Sequence, residues 1–192
     1  MTRSKTLPGV LCFEGEWTDD LRNNQSVLPT LEHLKRLEQL DYIHRDVATR
    51  EELSYYAGRF ARRARREYAS FRTVYLPMHG APGALFVSGT TSLSLSDLAE
   101  DLGSTCEGRA VYFGACSALR APAQVRNFLA RTSATLVCGY TKDVDWLESS
   151  AIDLLLLPAL SRQAKRNGAE AYMNSNALAA FTKKLGLTFR YA

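Results

Sequence analysis

A histidine and a cysteine each follow a strand-like apolar run in this sequence. His79 comes directly after Thr73–Met78, and Arg109–Leu119 begins as an apolar strand and ends in a small-residue turn that carries Cys116. A thiol attacks a carbonyl carbon as its thiolate, and a neighbouring imidazole either removes the thiol proton or stabilises the anion as imidazolium. The two positions therefore predict a catalytic His79–Cys116 dyad.

Both residue types also have a plainer interpretation. A free cysteine is more often a small buried hydrophobe than a nucleophile, and a lone histidine is more often structural than catalytic. Cys12 and Cys138 lie inside apolar strands and are predicted to be core residues, whereas Cys106 lies in a turn and is predicted to be an exposed thiol. Periodicity alone leaves the dyad and the structural interpretation equally open.

The glycine that follows the histidine adds to the candidate site. Gly80 has no side chain, so its backbone can approach a substrate carbonyl closely. The backbone amides of Gly80 and Cys116 are predicted to form an oxyanion hole. Such a feature supplies about 3 kcal/mol of transition-state stabilisation.

Buried runs alternate with amphipathic segments along the chain. Helices are predicted at Leu28–Leu40, at Arg50–Phe71 with a capping box from Thr49 to Glu52, and at Asn174–Leu185. The alternation predicts an α/β fold with a mostly parallel sheet of about six strands and helices on both faces. No linker or repeat interrupts the 192 residues, so one domain spanning residues 1–192 is expected. Ligands bind at the carboxyl ends of the strands in such sheets, where His79 and Cys116 are placed.

Composition narrows the class of protein. Hydrophobic residues make up 46% and charged residues 23% of the chain, as in ordinary globular proteins. The four cysteines have no CxxC spacing and no Gly-rich phosphate loop occurs, so neither a metal nor a cofactor is expected. The most apolar window, Ala151–Leu160, is shorter than the roughly 20 residues of a membrane span, and no signal peptide is recognisable. A cytoplasmic protein with reduced thiols and no membrane contact is expected.

A cluster of arginines lies on the predicted helix Arg50–Phe71. Its members, on the side opposite the apolar face, are Arg59, Arg62, Arg63 and Arg66. The cluster is compatible with nucleic-acid binding, as is the net charge of +4, but a solvated helix face over an apolar stripe is the favoured explanation. Nucleic acid is not an expected partner.

Two sequence blocks together resemble a known family. VYLPMHGAPG (Val74–Gly83) and AVYFGACSA (Ala110–Ala118) are similar to the His-Gly and Ala-Cys blocks of the caspase-like cysteine peptidases. That clan includes caspases, metacaspases, gingipains, separase and the bacterial CHAT proteases, some of which serve in defence, and the bacterial members are nearest in pattern. The resemblance implies a three-layer caspase-like fold, a His79–Cys116 dyad, and hydrolysis of a protein or peptide through an acyl-enzyme. The chain departs from the pattern at Ala118, where the clan usually has Gly.

The resemblance also bears on specificity. In the clan, the loops after the first and fifth strands shape the pocket for the side chain that precedes the scissile bond. Here those loops carry the acids Glu14, Glu16, Asp143 and Asp145, followed by Trp146 as a possible wall. Opposite charges attract, so the acids favour Arg or Lys in the substrate. The alternative is that these are ordinary surface acids and that Trp146 is a core anchor.

A second class of function stays open at this point. The departure at Ala118 also fits a catalytically silent caspase-like module that binds a protein or peptide partner. If the chain is active, an activating protein partner or oligomerisation is a possible switch. Nucleic-acid binding through the arginine cluster is a third and weaker hypothesis.

Overall fold

The computed structural model describes residues 6–162, 167–175 and 177–192. Its strands are β1 (Gly9–Gly15), β2 (Asp41–Val47), β3 (Phe71–Pro77), β4 (His79–Ala81), β5 (Ala84–Ser88), β6 (Thr91–Ser94), β7 (Ala110–Gly114), β8 (Leu136–Tyr140) and β9 (Leu187–Tyr191). Its helices are α1 (Leu28–Arg36), α2 (Arg50–Ala61), α3 (Leu95–Leu102), α4 (Pro122–Thr132), α5 (Trp146–Ser161), α6 (Gly168–Met173) and α7 (Ala179–Leu185). Short 3-10 turns lie at Gly103–Thr105 and Ala118–Arg120.

Six strands form the central sheet in the order β2-β1-β3-β7-β8-β9. Every neighbouring pair is parallel except β8 and β9, which are antiparallel. Successive side chains of a strand point to opposite faces, and both faces of this sheet are covered by helices. The predicted mostly parallel six-stranded α/β fold is therefore confirmed.

The two faces of the sheet carry separate hydrophobic clusters. Leu11 and Phe13 of β1 belong to the cluster that also contains the apolar faces of α2, α3 and α4. Val10 and Cys12 of the same strand belong to the other cluster, with the apolar residues of α1, α5, α6 and α7. This alternation makes three layers, with the sheet in the middle.

A small antiparallel sheet, in the order β4-β5-β6, lies beyond the end of β3. His79 opens this sheet and pairs with Phe86, while Gly80 pairs with Leu85. Met78 alone separates β3 from β4, so the chain passes directly from the central sheet into the small one. The histidine is thus fixed at the junction of two sheets.

The predicted helix Arg50–Phe71 is wrong in its length. The capping box is present, since the Glu52 amide donates to Thr49 Oγ1 over 3.2 Å, but α2 ends at Ala61. The arginine-rich segment beyond it forms tight turns, with the Arg63 amide donating to the Phe60 carbonyl over 3.0 Å. Repulsion between clustered like charges disfavours further α-helix here. Tyr68 nevertheless stacks on Phe60, at 5.1 Å between ring centroids.

The predicted helix Asn174–Leu185 is also wrong. Residues 174 and 175 follow the end of α6, and α7 begins at Ala179. The amide of Asn174 closes α6 by donating to the Glu170 carbonyl over 2.9 Å. Asn and Ser favour helix ends over helix interiors, which explains the break.

Within the described ranges, no helix combines the length and the apolar character that crossing a bilayer requires.

Candidate active site

The neighbouring strands β3 and β7 bring the predicted dyad to one place. Pro77 pairs with Gly114 at the carboxyl ends of these strands, so the segments that leave them lie side by side. His79 and Cys116 both line a pocket of about 250 Å³ at this edge of the sheet. The remainder of the pocket is lined by Trp17, Gln25, Val27, Tyr75, Pro77, Met78, Gly114, Val144, Trp146, Ser149, Ser150 and Asp153.

A backbone carbonyl orients the His79 ring. His79 Nε2 lies 2.8 Å from the carbonyl oxygen of Trp17, and the two rings meet edge to face at 5.3 Å between centroids. A carbonyl accepts hydrogen bonds and cannot donate them, so Nε2 carries the proton. In the neutral imidazole this leaves Nδ1 as the basic nitrogen.

Cys116 differs from the other cysteines in its exposure. Its side chain is partly exposed, whereas Cys12, Cys106 and Cys138 are buried, and all four thiols are free. The Val144 amide donates to Cys116 Sγ over 3.4 Å. The thiol is therefore both accessible from the pocket and held in place by the loop after β8.

The other three cysteines are poor nucleophiles because they are buried. Burial raises the pKa of Cys106 to about 12 and raises the pKa values of Cys12 and Cys138 well above the ordinary range. A thiol with so high a pKa carries almost no thiolate at neutral pH. The prediction that Cys106 is an exposed loop thiol is wrong, since its side chain is 0% exposed.

The turn after the cysteine has a left-handed residue at Ser117, with φ of 46°. Two contacts hold it: the Ser117 amide donates to the Lys142 carbonyl, and Ser117 Oγ donates to Asp143 Oδ1, each over 2.9 Å. In the part of the chain that the structure describes, the amide of Cys116 donates to no protein acceptor. A free amide at this turn is what an oxyanion hole requires.

Gly80 packs against the backbone of the cysteine. A Cβ added at Gly80 would lie 2.6 Å from the Cys116 carbonyl oxygen and 2.9 Å from Ala115 Cβ. Atoms cannot approach so closely, so any side chain at position 80 pushes the segments that carry His79 and Cys116 apart.

Gly80→Ala is expected to slow any reaction of the Cys116 thiol that depends on His79 about a hundredfold and to destabilise the fold by about 1–3 kcal/mol, because the new Cβ meets backbone. Turnover assays and urea unfolding measure the two effects. Gly58→Ala in α2 is the matched control, since its Cβ would meet nothing closer than 3.7 Å. That variant should keep full activity and gain about 1 kcal/mol from helix propensity. An unchanged reaction rate in Gly80→Ala would contradict the tight contact between Gly80 and the backbone of Cys116.

The four acids expected to shape the substrate pocket lie outside it. Asp143 holds the Ser117 turn, and Asp145 caps α5 by accepting from the amides of Leu147 and Glu148. Glu14 and Glu16 line a separate surface depression. Trp146, in contrast, does line the pocket, where it meets Trp17 edge to face at 4.5 Å between centroids.

Glu14 joins several elements from a buried position, with 2% of its surface exposed. Its carboxylate accepts from Trp17 Nε1 at 2.6 Å, Ser26 Oγ at 2.7 Å, the Val27 amide at 2.8 Å and His44 Nε2 at 2.6 Å. Burial raises the pKa of Glu14, but these four hydrogen bonds together lower it by more than burial raises it. The pKa of Glu14 therefore lies below its ordinary value. Glu14 thereby fixes the residue whose carbonyl orients His79.

Asp153 is a pocket residue that sequence reasoning missed. It lies on α5 and is 4% exposed. Tyr75 and Tyr112 donate to its two oxygens over 2.6 Å and 2.8 Å, and the hydroxyls of Tyr112 and Tyr140 are 2.7 Å apart. Burial raises the pKa of Asp153 to about 6, against the lowering effect of the two tyrosines. The sequence signal that could have identified Asp153 is its position as the one acid in the apolar segment Ala151–Leu160.

Asp153→Asn is expected to change how stability depends on pH. The folded-state pKa of Asp153, about 6, lies above the ordinary value of 3.8, so the folded protein favours the protonated carboxyl. The contribution of Asp153 to the free energy of unfolding is therefore fully present below pH 3.8 and is lost as pH rises through 6. A shift of about two pH units corresponds to about 3 kcal/mol. Urea unfolding of both proteins between about pH 4 and pH 7 measures the difference. Parallel curves would contradict the prediction, and Glu16→Gln, which replaces an exposed acid, is the control.

A possible metal-ligand group exists at Glu14, His44 and Asp46, whose ligand atoms lie within 4.8 Å of one another. Both Glu14 oxygens already accept from protein donors, and His44 Nε2 is one of those donors. In the described ranges this cluster is a filled hydrogen-bonding network, and its donor set does not require an ion.

Comparisons with known proteins agree with this geometry at the level of the fold. The model of the family described as "Family of unknown function (DUF6642)" matches residues 8–185. The structure is similar to the crystal structure of caspase-1 from Spodoptera frugiperda, with a TM-score of 0.56 and 14% sequence identity, over 97% of this chain and 87% of that chain. No curated protein matches the sequence. The chain therefore has a caspase-like fold.

Proposed function

The chain belongs to the DUF6642 family, and we propose that it is a cysteine endopeptidase that works through a His79–Cys116 dyad. One observation carries the proposal: a partly exposed thiol and an imidazole with a fixed tautomer line the same pocket of a caspase-like fold. Free cysteines in all four positions also fit action in a reducing compartment such as the cytoplasm.

In the proposed reaction, His79 Nδ1 takes the proton of Cys116, and the thiolate adds to the carbonyl carbon of the scissile peptide bond. The carbonyl π-electrons move to oxygen, and the amides of Cys116 and Gly80 hold the oxyanion. The intermediate expels the amine, which receives the proton from His79. Water then adds to the thioester, and the acid leaves as Cys116 regains its proton.

We further propose cleavage after a basic residue. The acids of the loops after β1 and β8 do not support this preference, because they lie outside the pocket. The support comes from the pocket itself, whose lining includes the carboxylate of Asp153 and no Lys or Arg side chain. A protein or peptide is thus the proposed substrate, with an activating protein partner as a possible switch.

The departure at Ala118 gives little support to a silent, partner-binding module. Ala118 is buried and lies in a 3-10 turn, where a Cβ causes no conformational strain. The left-handed position is taken by Ser117, and the Ala118 carbonyl accepts from the Gly83 amide over 3.1 Å. The turn at Cys116 is therefore complete without glycine at position 118.

Fluorogenic peptides with Arg, Lys or Asp before the bond test the proposal. Wild type is expected to hydrolyse the Arg or Lys peptides and to leave the Asp peptide intact. An absence of turnover by wild type would contradict the peptidase. If Cys116 were also inert to iodoacetamide at neutral pH while a partner co-purified, the silent module would replace it.

A further inference from the structure

The pocket that holds His79 and Cys116 contains one carboxylate, and the inference drawn from it rests on the proposed peptidase function. Its lining residues all belong to the described part of the chain, and Asp153 is the one acid among them. We propose that Asp153 determines specificity by binding the ammonium or guanidinium group of the side chain that precedes the scissile bond.

One face of α5 forms a wall of the pocket. Trp146, Ser149, Ser150 and Asp153 all line it, at the spacing of successive turns on one side of a helix. Seven residues of helix span about 10 Å, so Asp153 lies well along α5 from Trp146. A side chain with a long apolar stem and a terminal charge suits such a wall.

The charge of Asp153 has no cationic partner in the described ranges. Its two hydrogen-bond donors, Tyr75 and Tyr112, are neutral, and no Lys, Arg or His of those ranges forms an ion pair with it. A buried carboxylate is costly unless it is paired with a cation. Because each carboxylate oxygen accepts two hydrogen bonds, each has a lone pair left for a ligand. A substrate cation would supply the missing partner.

Aromatic rings complete the recognition of a cation. Trp17 and Trp146 meet edge to face, and Tyr75 also lines the pocket. Indole and phenol rings pack on aliphatic stems and attract cations to their faces. The pocket therefore combines apolar walls with a negative group, which is the complement of Lys or Arg.

Matched substrates test the role of the charge. Peptides that differ at one position, with Arg, its neutral isostere citrulline, Lys or norleucine before the bond, are assayed with wild type and Asp153→Asn. Wild type should prefer Arg over citrulline at least about a hundredfold in kcat/KM. Asp153→Asn should reduce that preference to a few-fold, chiefly through KM, and leave citrulline hydrolysis nearly unchanged. Glu16→Gln, which replaces an exposed loop acid outside the pocket, should keep the wild-type preference.

A binding measurement separates this inference from the proposed catalysis. The chain has two tryptophans, Trp17 and Trp146, and both line the pocket, so intrinsic fluorescence reports directly on its occupancy. Titration with n-butylguanidinium should change the fluorescence of wild type and of Cys116→Ala. Neutral n-pentanol should bind much more weakly, and Asp153→Asn should lose at least about tenfold in affinity for the cation.

The outcomes distinguish the two claims. Asp153-dependent cation binding without hydrolysis of any peptide would overturn the peptidase and support the cation-binding pocket. Hydrolysis that requires Cys116 but shows the same Arg-to-citrulline ratio in wild type and Asp153→Asn would overturn the role of Asp153. Loss of the preference in Glu16→Gln instead would assign the recognition of the substrate charge to the loop after β1.

Discussion

Replacing Cys116 with alanine is expected to lower peptide hydrolysis about a thousandfold or more, because the variant lacks the thiolate that forms the proposed acyl-enzyme. His79→Ala should have a comparable effect, since the thiol then lacks the base that removes its proton. The fold should persist in both variants, because neither side chain belongs to a hydrophobic cluster. Initial-rate assays on the Arg peptide, together with circular dichroism, check these expectations.

Iodoacetamide labelling of the native protein is the companion measurement. Cys116 is partly exposed and the other thiols are buried, so labelling should be confined to Cys116. Cys106→Ala is the control: it should lose some stability from a buried site yet keep its kcat. Full activity of Cys116→Ala, or equal labelling of all four thiols, would contradict the assignment of the nucleophile.

Replacing Glu14 with glutamine is expected to lower kcat about tenfold to a hundredfold with little change in KM. The amide cannot accept from all four donors, so the Trp17 indole loses its anchor and the carbonyl that orients His79 shifts. Stability should also fall, by about 2–4 kcal/mol, because buried donors are left without partners. Steady-state kinetics and urea unfolding measure the two effects, and Glu14 acts here as a positioning residue.

The neighbouring acid supplies the control for Glu14. Glu16 is exposed, so Glu16→Gln should leave both kcat and stability unchanged. The pH dependence is a second readout. The pKa of Glu14 is lowered from 4.5, so its stabilising effect is present above pH 4.5 and is lost as pH falls through the folded-state pKa. Unchanged kcat in Glu14→Gln, or an equal loss in Glu16→Gln, would contradict the positioning role.

Local patterns were sufficient to predict the central sheet and to place His79 and Cys116 beyond the ends of neighbouring strands, where they line one pocket. Strands such as Val10–Phe13 and Val111–Phe113 are continuous apolar runs, which mark buried parallel strands. His79 and Cys116 each follow such a run and place a reactive side chain just beyond its carboxyl end. Helix lengths were less predictable. The arginine-rich segment after α2 continues the apolar periodicity of the helix, although its backbone forms turns.

The acidic groups of the site could not be predicted in the same way. Glu14 ends an apolar strand, and nothing in its neighbourhood reveals that the indole of Trp17 and the ring of His44 turn inward to meet it. The role of Asp153 depends on strand order, since Tyr75 and Tyr112 become neighbours through the pairing of β3 with β7. Contacts between distant segments carry this information, and periodicity does not.

His79 lies in the small antiparallel sheet, whereas Cys116 follows β7 of the central sheet, and this division bears on the motions that govern the site. Opening of β4–β6 would withdraw the imidazole while the strands that lead to Cys116 stay closed. Proteins open locally at free energies well below that of global unfolding. Amide hydrogen exchange in Ala84–Ser88 should therefore outpace exchange in Thr73–Pro77. The fraction of molecules with His79 in place beside Cys116 would then depend on the opening equilibrium of the small sheet. It would not follow the melting temperature of the whole fold.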